Sequence, residues 1–424
     1  MPKRLLIALL AFVTASAACS VLARPLETEM TPTSAPDAIS LPPAWTLTPA
    51  LLARITPSLS PTAILSPTRT PRPTQPPAAP LIPSLIDDAD LVSGMSGWVQ
   101  ADGKMFWTDD GGSAWRDITP PVPKDAYLWW VRFFDVQHGI ALVVGENPPG
   151  EWPSEVRILV LRTDDGGRSW TGPAEWATLS LLRRGWARYA YALSQNRIWV
   201  SADITEMANS STGEFFRADD GGRSWSEVST FFSGQVVFLT ADTGFTAGFE
   251  NSSIPQLYRT RDGGKTWQQQ NLAPIPDDER WYWHDYGIPV FFGPRDGVTA
   301  VALRGADWRW TDLVLYRTRD AGESWEQVAV FPGASESAMI TADSTPLDAA
   351  SATIWGVVHT DEAEVTRDGG ESFTRWDLSP MSYVPKLLLS EGSLAWALEL
   401  HNEGYHLYRS LDAGIHWEDV IGPW

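Results

Sequence analysis

The sequence predicts an all-β protein, a seven-bladed β-propeller of four-stranded antiparallel blades. Three observations carry this expectation. One octet recurs seven times, its spacing suits a four-stranded blade, and short β-rich runs flank each copy in the same order.

The first octet reads Thr108-Asp109-Asp110-Gly111-Gly112-Ser113-Ala114-Trp115. The others run from Thr163 to Trp170, Ala218 to Trp225, Thr260 to Trp267, Thr318 to Trp325, Thr366 to Phe373 and Ser410 to Trp417. The pattern is Ser/Thr-x-Asp-x-Gly-x-x-Trp, from which Ala218 and Phe373 depart. Its aspartates are Asp110, Asp165, Asp220, Asp262, Asp320, Asp368 and Asp412, spaced 55, 55, 42, 58, 48 and 44 residues apart. A blade of four short strands and their turns needs a repeat of that size.

The octet has the chemistry of a hairpin turn. An Asp carboxylate can accept backbone N–H bonds from the residues that follow and so close the turn. Gly tolerates the positive φ such a turn demands. The final Trp opens the next strand and packs its ring on the neighbouring sheet. A structural role therefore fits these aspartates better than a catalytic or calcium-binding one, and nothing matches the oxygen-rich EF-hand loop.

Each octet sits between strands C and D of a larger unit. In the fourth unit, strand A is expected over 235–240, B over 244–248 and C over 256–260, with D starting at Thr266. The last unit repeats the order at 386–390, 394–400, 406–409 and 416–421. The first ends near Asp117. All seven units run A to D, so no strand is left over to complete the first blade. Face-to-face packing of blades 1 and 7 is one route to closure; a short strand at 81–84 is the other.

The octets, with Gly-Trp or Gly-Phe pairs opening B strands (Gly97-Trp98, Gly244-Phe245), resemble the Asp box, or BNR repeat, of sialidases, sortilin-type receptors and photosystem II assembly factors. Over residues 85–424 the pattern is most similar to the photosystem II assembly and stability factors and their bacterial relatives. That resemblance implies an assembly or binding role. The family bears a basic, arginine-rich patch, whereas this chain has a formal net charge of −20.

The acidic balance speaks against nucleic acid as a partner, since phosphate binding needs a basic surface. The single cysteine, Cys19, excludes an internal disulfide framework and any multi-cysteine zinc site. Lys3 and Arg4, the apolar run from Leu5 to Val13 and the small residues Ala15-Ser16-Ala17-Ala18 form an export signal too short to span a membrane. Cys19 directly after them resembles a bacterial lipobox, with Ser16 where that family usually has Leu. Lipidation of Cys19 is the expectation; cleavage after an Ala-x-Ala-like site is the alternative. Residues 20–84, rich in Pro, Thr, Ser and Ala, read as an extended tether. The division is thus 1–19 signal, 20–84 tether and 85–424 propeller, displayed at the outer face of the cell membrane and touching it only through the anchor, or secreted.

In an antiparallel blade the A–B and C–D turns share one end, so the octets lie opposite the B–C and D–A connections. Long B–C loops are expected at 146–155 with Trp152, at 203–213, and at 304–312 with Trp308 and Trp310. The D–A loop at 274–285 carries Asp277, Asp278, Glu279, Arg280, Trp281, Trp283 and His284. Rings beside charged groups on a rigid scaffold can stack on sugars or anchor a protein. Trp152, Arg280, Trp281, Trp283, Trp308 and Trp310 are therefore the candidate ligand-binding residues, with gap-filling between blades as the competing role for each ring.

The resemblance to sialidases implies a test for catalysis. Those enzymes need an arginine triad, a Tyr/Glu nucleophilic pair, an acid–base Asp and an early Arg-Ile-Pro motif. Leu81-Ile82-Pro83 lacks the arginine, and nothing aligns Arg183, Arg184, Arg188, Arg280 and Arg304 as a triad. A two-carboxylate glycosidase site has Asp277, Asp278, Glu279 and Asp285 as candidates by location only, and a solvated acidic loop explains them better. His-Glu-x-x-His, the P-loop, the dinucleotide fingerprint and the nucleophile elbow are all missing. His401 and His406 fit a surface turn better than a metal. No cofactor or metal is expected. The sequence favours a non-catalytic binding or assembly scaffold for a protein partner; a glycan-binding lectin or sialidase-like glycoside hydrolase is the alternative.

Overall fold

A computed structural model of the chain describes residues 85–145, 155–173, 175–181, 185–207, 210–230, 235–248, 256–270, 272, 281–305, 310–332, 347–359, 361–384, 386–401 and 404–420. The export signal, Cys19, the tether, Trp152, Arg280 and Trp308 lie outside them. The described residues form seven antiparallel sheets in sequence order, a seven-bladed β-propeller without helices. Blades 1 to 7 span 88–117, 126–180, 185–230, 236–269, 281–332, 347–377 and 386–419, each ordered A-B-C-D. In blade 5, strand A comes in two pieces, Trp281–Tyr286 and Val290–Phe291, both paired with strand B.

The octet builds the hairpin expected of it. Thr108 Oγ1 donates to Asp110 Oδ1 at 2.8 Å and accepts the Gly112 N–H at 2.9 Å. Asp110 Oδ1 also accepts the N–H groups of Ser113 and Ala114, both at 2.9 Å. The same hydroxyl–carboxylate pair recurs from Thr163, Thr260, Thr318, Thr366 and Ser410. The φ angles of Gly111 and Gly112 are 74° and 99°, where a side chain would be strained. Each octet then ties its end of the blade together. In blade 1 the Gly111 N–H donates to Met95 O of the A–B turn, and every other blade repeats that bond, as from Gly263 to Asp242 O. The A–B turns and octets therefore share one face, as the topology requires.

The core lies in the seams between blades. An aromatic residue near the start of strand B is buried there, as Trp98, Trp199, Phe245 and Trp396 illustrate. The last ring of the octet packs against it or across the seam: Trp115 lies 5.7 Å from Trp396, and Trp325 stands edge-on to Phe245 at 6.2 Å. Arginines stitch the seams as well. An arginine precedes the octet in five blades, and each one reaches into the next blade. Arg162 donates to Gly221 O, Arg217 to Ala241 O, Arg317 to Gly369 O and Arg409 to Gly111 O, while Arg259 pairs with Glu323.

Arg409 and Trp396, which also donates to Gly111 O, close the ring from blade 7 to blade 1. Face packing is not the whole closure. Ile86 exchanges two backbone hydrogen bonds with Tyr405 on strand C of blade 7, at 2.9 and 2.8 Å, and is fully buried between the first and last blades. The pairing residue lies just beyond the expected 81–84 segment.

The structure moves two connections into strands. The pattern puts a loop at 203–213, but strands Ile198–Met207 and Ser210–Ala218 pair to the tip of the hairpin. It puts another at 304–312, but strand B of blade 5 runs to Gly305 and strand C starts at Trp310. Polar residues at a hairpin tip do not stop the backbone from pairing. Likewise Trp281 and Trp283 begin inner strand A of blade 5 instead of ending a D–A loop. The run of aromatic residues Trp281-Tyr282-Trp283 favours a strand there despite the acidic residues just before it.

Candidate functional site

The A strands of neighbouring blades contact one another, as in blades 1 and 7 or 6 and 7, so they surround a central channel. Each A strand runs from the loop-rich face towards the octet face. Its side chains alternate, and every second residue faces one way. A charged residue at such a position is held at a fixed depth by the sheet.

One wall is acidic. Asp88 and Asp90 lie on strand A of blade 1 (Asp88–Ser93), and Asp348 on that of blade 6 (Leu347–Ala349). Lys386, first residue of strand A in blade 7 (Lys386–Leu389), donates to Asp88 Oδ1 at 2.8 Å and to Ala89 O at 2.9 Å. The side chains of Asp88 and Lys386 keep 50% and 40% of their surface open, so channel water screens this pair and limits its strength. Asp348 Oδ2 accepts the Leu389 N–H at 2.7 Å, bridging blades 6 and 7. A cavity of about 330 Å³ is lined by Asp90, Asp348 and Glu391.

Enclosure within the ring pushes the Asp348 carboxyl up to about 7, against the Leu389 N–H, and the charge of Asp90 adds to it. Asp90 is raised too, by enclosure first, with Lys386 opposing and Asp88 adding. For Lys386, enclosure works against the charge, but Asp88, Asp90 and Asp348 together hold it protonated above the ordinary lysine range.

The next strands round the ring, on blades 2 and 3, are cationic and aromatic. Arg132, near the end of strand A in blade 2 (Ala126–Phe133), stands 4.7 Å from the centroid of the Tyr191 ring. Arg188 on strand A of blade 3 (Gly185–Ala192) donates from Nε to the Tyr189 hydroxyl at 2.8 Å. Together with Trp130, Phe238 and Asp88 of blade 1, these groups line a cavity of about 590 Å³. It has the size and mixed lining of a ligand pocket, with apolar rings and a few convergent charges.

The sequence candidates are spread differently. Among the described residues, Trp281, Trp283 and Trp310 are placed by their backbone on blade 5, the first two on its inner strand and the third opposite Arg304. Of the arginines considered for a triad, Arg188 reaches the channel cavity; Arg183 and Arg184 lie outside the described residues. Asp285 is not part of a solvated loop: it is buried on strand A of blade 5. The sequence reading missed Asp88, Asp90, Asp348, Lys386, Arg132 and Tyr191. The signal was available: these charged residues sit inside the β-rich runs that open their units, where a propeller strand faces the channel.

The chain is similar in structure to several solved propellers. It is 17% identical to YCF48 bound to D1 peptide, covering 78% of this chain and 96% of that one, with a TM-score of 0.47. With YCF48 from Cyanidioschyzon merolae the identity is 16%, the coverage again 78% and 96%, and the TM-score 0.44. With an oligogalacturonate lyase from Vibrio parahaemolyticus the identity is 8%, the coverage 77% and 90%, and the TM-score 0.50, a likeness that bears on the fold alone. No protein-family model matches the chain, and no curated protein matches it.

The channel cannot be a plain hydrophobic socket. Its lining carries charges of both signs beside aromatic surface. That arrangement orients a ligand with an anionic end, a cationic end and apolar surface.

Proposed function

We propose that the protein is an exported Asp-box propeller, anchored through Cys19 and held off the membrane by residues 20–84, that binds a segment of a protein partner in its central channel without catalysis. The observation that carries this reading is the mixed lining of the channel cavity, where Asp88, Arg132 and Arg188 of three successive blades stand among the rings of Trp130, Tyr191 and Phe238. A peptide carries acidic, basic and apolar groups at fixed intervals, which matches such walls. Arg132 and Arg188 would take its carboxylates, the pair of Asp88 and Lys386 would open towards its cation, and Trp130 and Tyr191 would cover apolar side chains. Trp152, Arg280, Trp281, Trp283, Trp308 and Trp310 remain candidates for contacts at the loop-rich mouth.

The test is to pan a random peptide display library over the immobilised full-length chain. The expected outcome is enrichment of a mixed-charge, aromatic-tolerant motif. Binding of that motif should fall at least tenfold in Arg132→Glu/Arg188→Glu and stay unchanged in Gln269→Glu, an exposed outer-strand position. A motif that binds the channel variant as well as it binds the parent sinks the proposal.

One observation favours a second reading. Asp90 and Asp348 share a cavity and both resist ionisation, as paired catalytic carboxyls do. A glycoside hydrolase or glycan binder would use them in this way. Hydrolysis of a chromogenic glycoside that Asp348→Asn abolishes, or glycan-array binding lost in Trp281→Ala/Trp283→Ala, would replace the peptide reading.

A further inference from the structure

We propose that Glu399, His401 and His406 form a binding site for a divalent first-row metal ion, Zn²⁺ above all, at the loop-rich end of blade 7. The three residues sit on one hairpin, strand B (Ala395–His401) and strand C (Gly404–Ser410). Glu399 and His406 are directly opposed across it, and His401 is two residues beyond Glu399. Strand alternation therefore sends all three side chains to the same face.

Their ligand atoms all lie within 4.8 Å of one another. His401 Nε2 is 3.2 Å from Glu399 Oε2, and the two imidazole rings are stacked with centroids 4.2 Å apart. Zinc bonds of about 2.0–2.2 Å in a tetrahedron set their ligands about 3.3 Å apart. The Glu–His edge already has that length, and a small rotation of His406 completes the triangle. Two imidazoles and a carboxylate are the donor set of zinc sites that keep a fourth position for water. The same set suits Cu²⁺ and Ni²⁺ and is poor for Ca²⁺ or Mg²⁺, which prefer oxygen.

The site is also built from behind. Glu399 has only 6% of its side-chain surface exposed, whereas His401 has 42%, so the carboxylate is fixed and the cluster opens to solvent on one side. Glu399 Oε1 accepts the Ser382 N–H at 2.7 Å, Oε2 lies 3.2 Å from His401 Nε2, and the Tyr408 side chain also bonds the carboxylate. Outer hydrogen bonds of this kind orient metal-binding carboxylates and histidines. Metal binding replaces the His401–Glu399 hydrogen bond: Nε2 gives its lone pair to the ion, and the ring carries its proton on Nδ1. A surface turn alone requires none of these three coincident features.

The experiment is calorimetric titration of the chelator-treated full-length chain with ZnCl₂, with X-ray absorption on the loaded protein. One Zn²⁺ should bind per chain, with two imidazole nitrogens at about 2.0–2.1 Å. His401→Ala and His406→Ala should each weaken binding by more than tenfold, while His416→Ala on the exposed octet of the same blade leaves it unchanged. Because His401 is exposed, its variant should keep the parent's circular dichroism and melting profile without metal. The proposal is overturned if the parent takes up no Zn²⁺, or if both histidine variants keep its affinity.

Discussion

At the scale of the residue, the octet is a set of small, separable devices. Its hydroxyl both donates to the Asp and accepts the N–H of the Gly four residues on, and blade 3 lacks it because Ala218 stands there. The position is buried in blade 3, as it is in the blades that carry Thr. Ala218→Thr should supply an acceptor for the Gly222 N–H and a second bond to Asp220, stabilising the protein by about 1 kcal/mol in chemical denaturation. No gain, or a loss, would mean that the octet hydroxyl is incidental. The octet carboxyls give an independent check. All seven are held below the usual carboxylate range, with Asp165, Asp320 and Asp412 near 2. Hydroxyl bonds from Ser169 and Ser372 lead for Asp165 and Asp368, and the His416 N–H leads for Asp412. In Asp110, Asp220, Asp262 and Asp320 slight burial works against ionisation and is outweighed by the same bonds. Depressed folded values mean that their stabilisation is complete above the unfolded value of about 3.9 and is lost as pH falls towards about 2. Acid unfolding should concentrate in that window. Asp348 has the opposite sign: its folded value near 7 means that ionising it costs stability increasingly from about pH 4 up to 7, and fully above. Asp348→Asn keeps an acceptor for Leu389 N–H and should raise the melting temperature at pH 8 but hardly at pH 4.

At the scale of the element, the blades are hairpins whose ends were the hardest part to read. Strands B and C of blade 4 fall where the pattern places them, at Gly244–Gly248 and Gln256–Thr260, because glycine, aromatic and octet signals bracket them on both sides. Strands Ile198–Met207 and Ser210–Ala218 outrun the pattern, since polar residues near a hairpin tip do not stop the backbone from pairing, here as far as Met207 and Ser210. Ring closure was equally hidden. A single residue, Ile86, pairs with Tyr405, and no periodicity announces a one-residue bridge between segments more than 300 positions apart in the chain. Its side chain is fully buried in the seam between blades 1 and 7. Ile86→Ala should therefore cost about 2–5 kcal/mol. Hydrogen exchange should show the loss first at blades 1 and 7; uniform loosening across all blades would contradict a local closure.

At the scale of the whole molecule, the sequence repeat specifies the architecture almost completely but says little about the site. Seven octets at blade-sized intervals determine how many sheets form and how they connect, because every copy carries its own turn chemistry. The channel lining follows a different logic. Asp88, Asp348, Lys386 and Arg132 belong to different repeats and share no motif, and only the closed ring brings their strands together. Arg188 alone was visible as a candidate from sequence. We propose that this channel, with its lining of mixed charge and aromatic rings, receives a protein segment. The most direct measurement places the photo-cross-linking residue p-benzoylphenylalanine at Tyr189 in the channel and, separately, at exposed Gln269 on the outer edge of blade 4, and irradiates intact cells. A discrete protein adduct is expected from position 189, suppressed by Arg132→Glu, and none from position 269. No adduct at 189, or the same adducts from both positions, would contradict it.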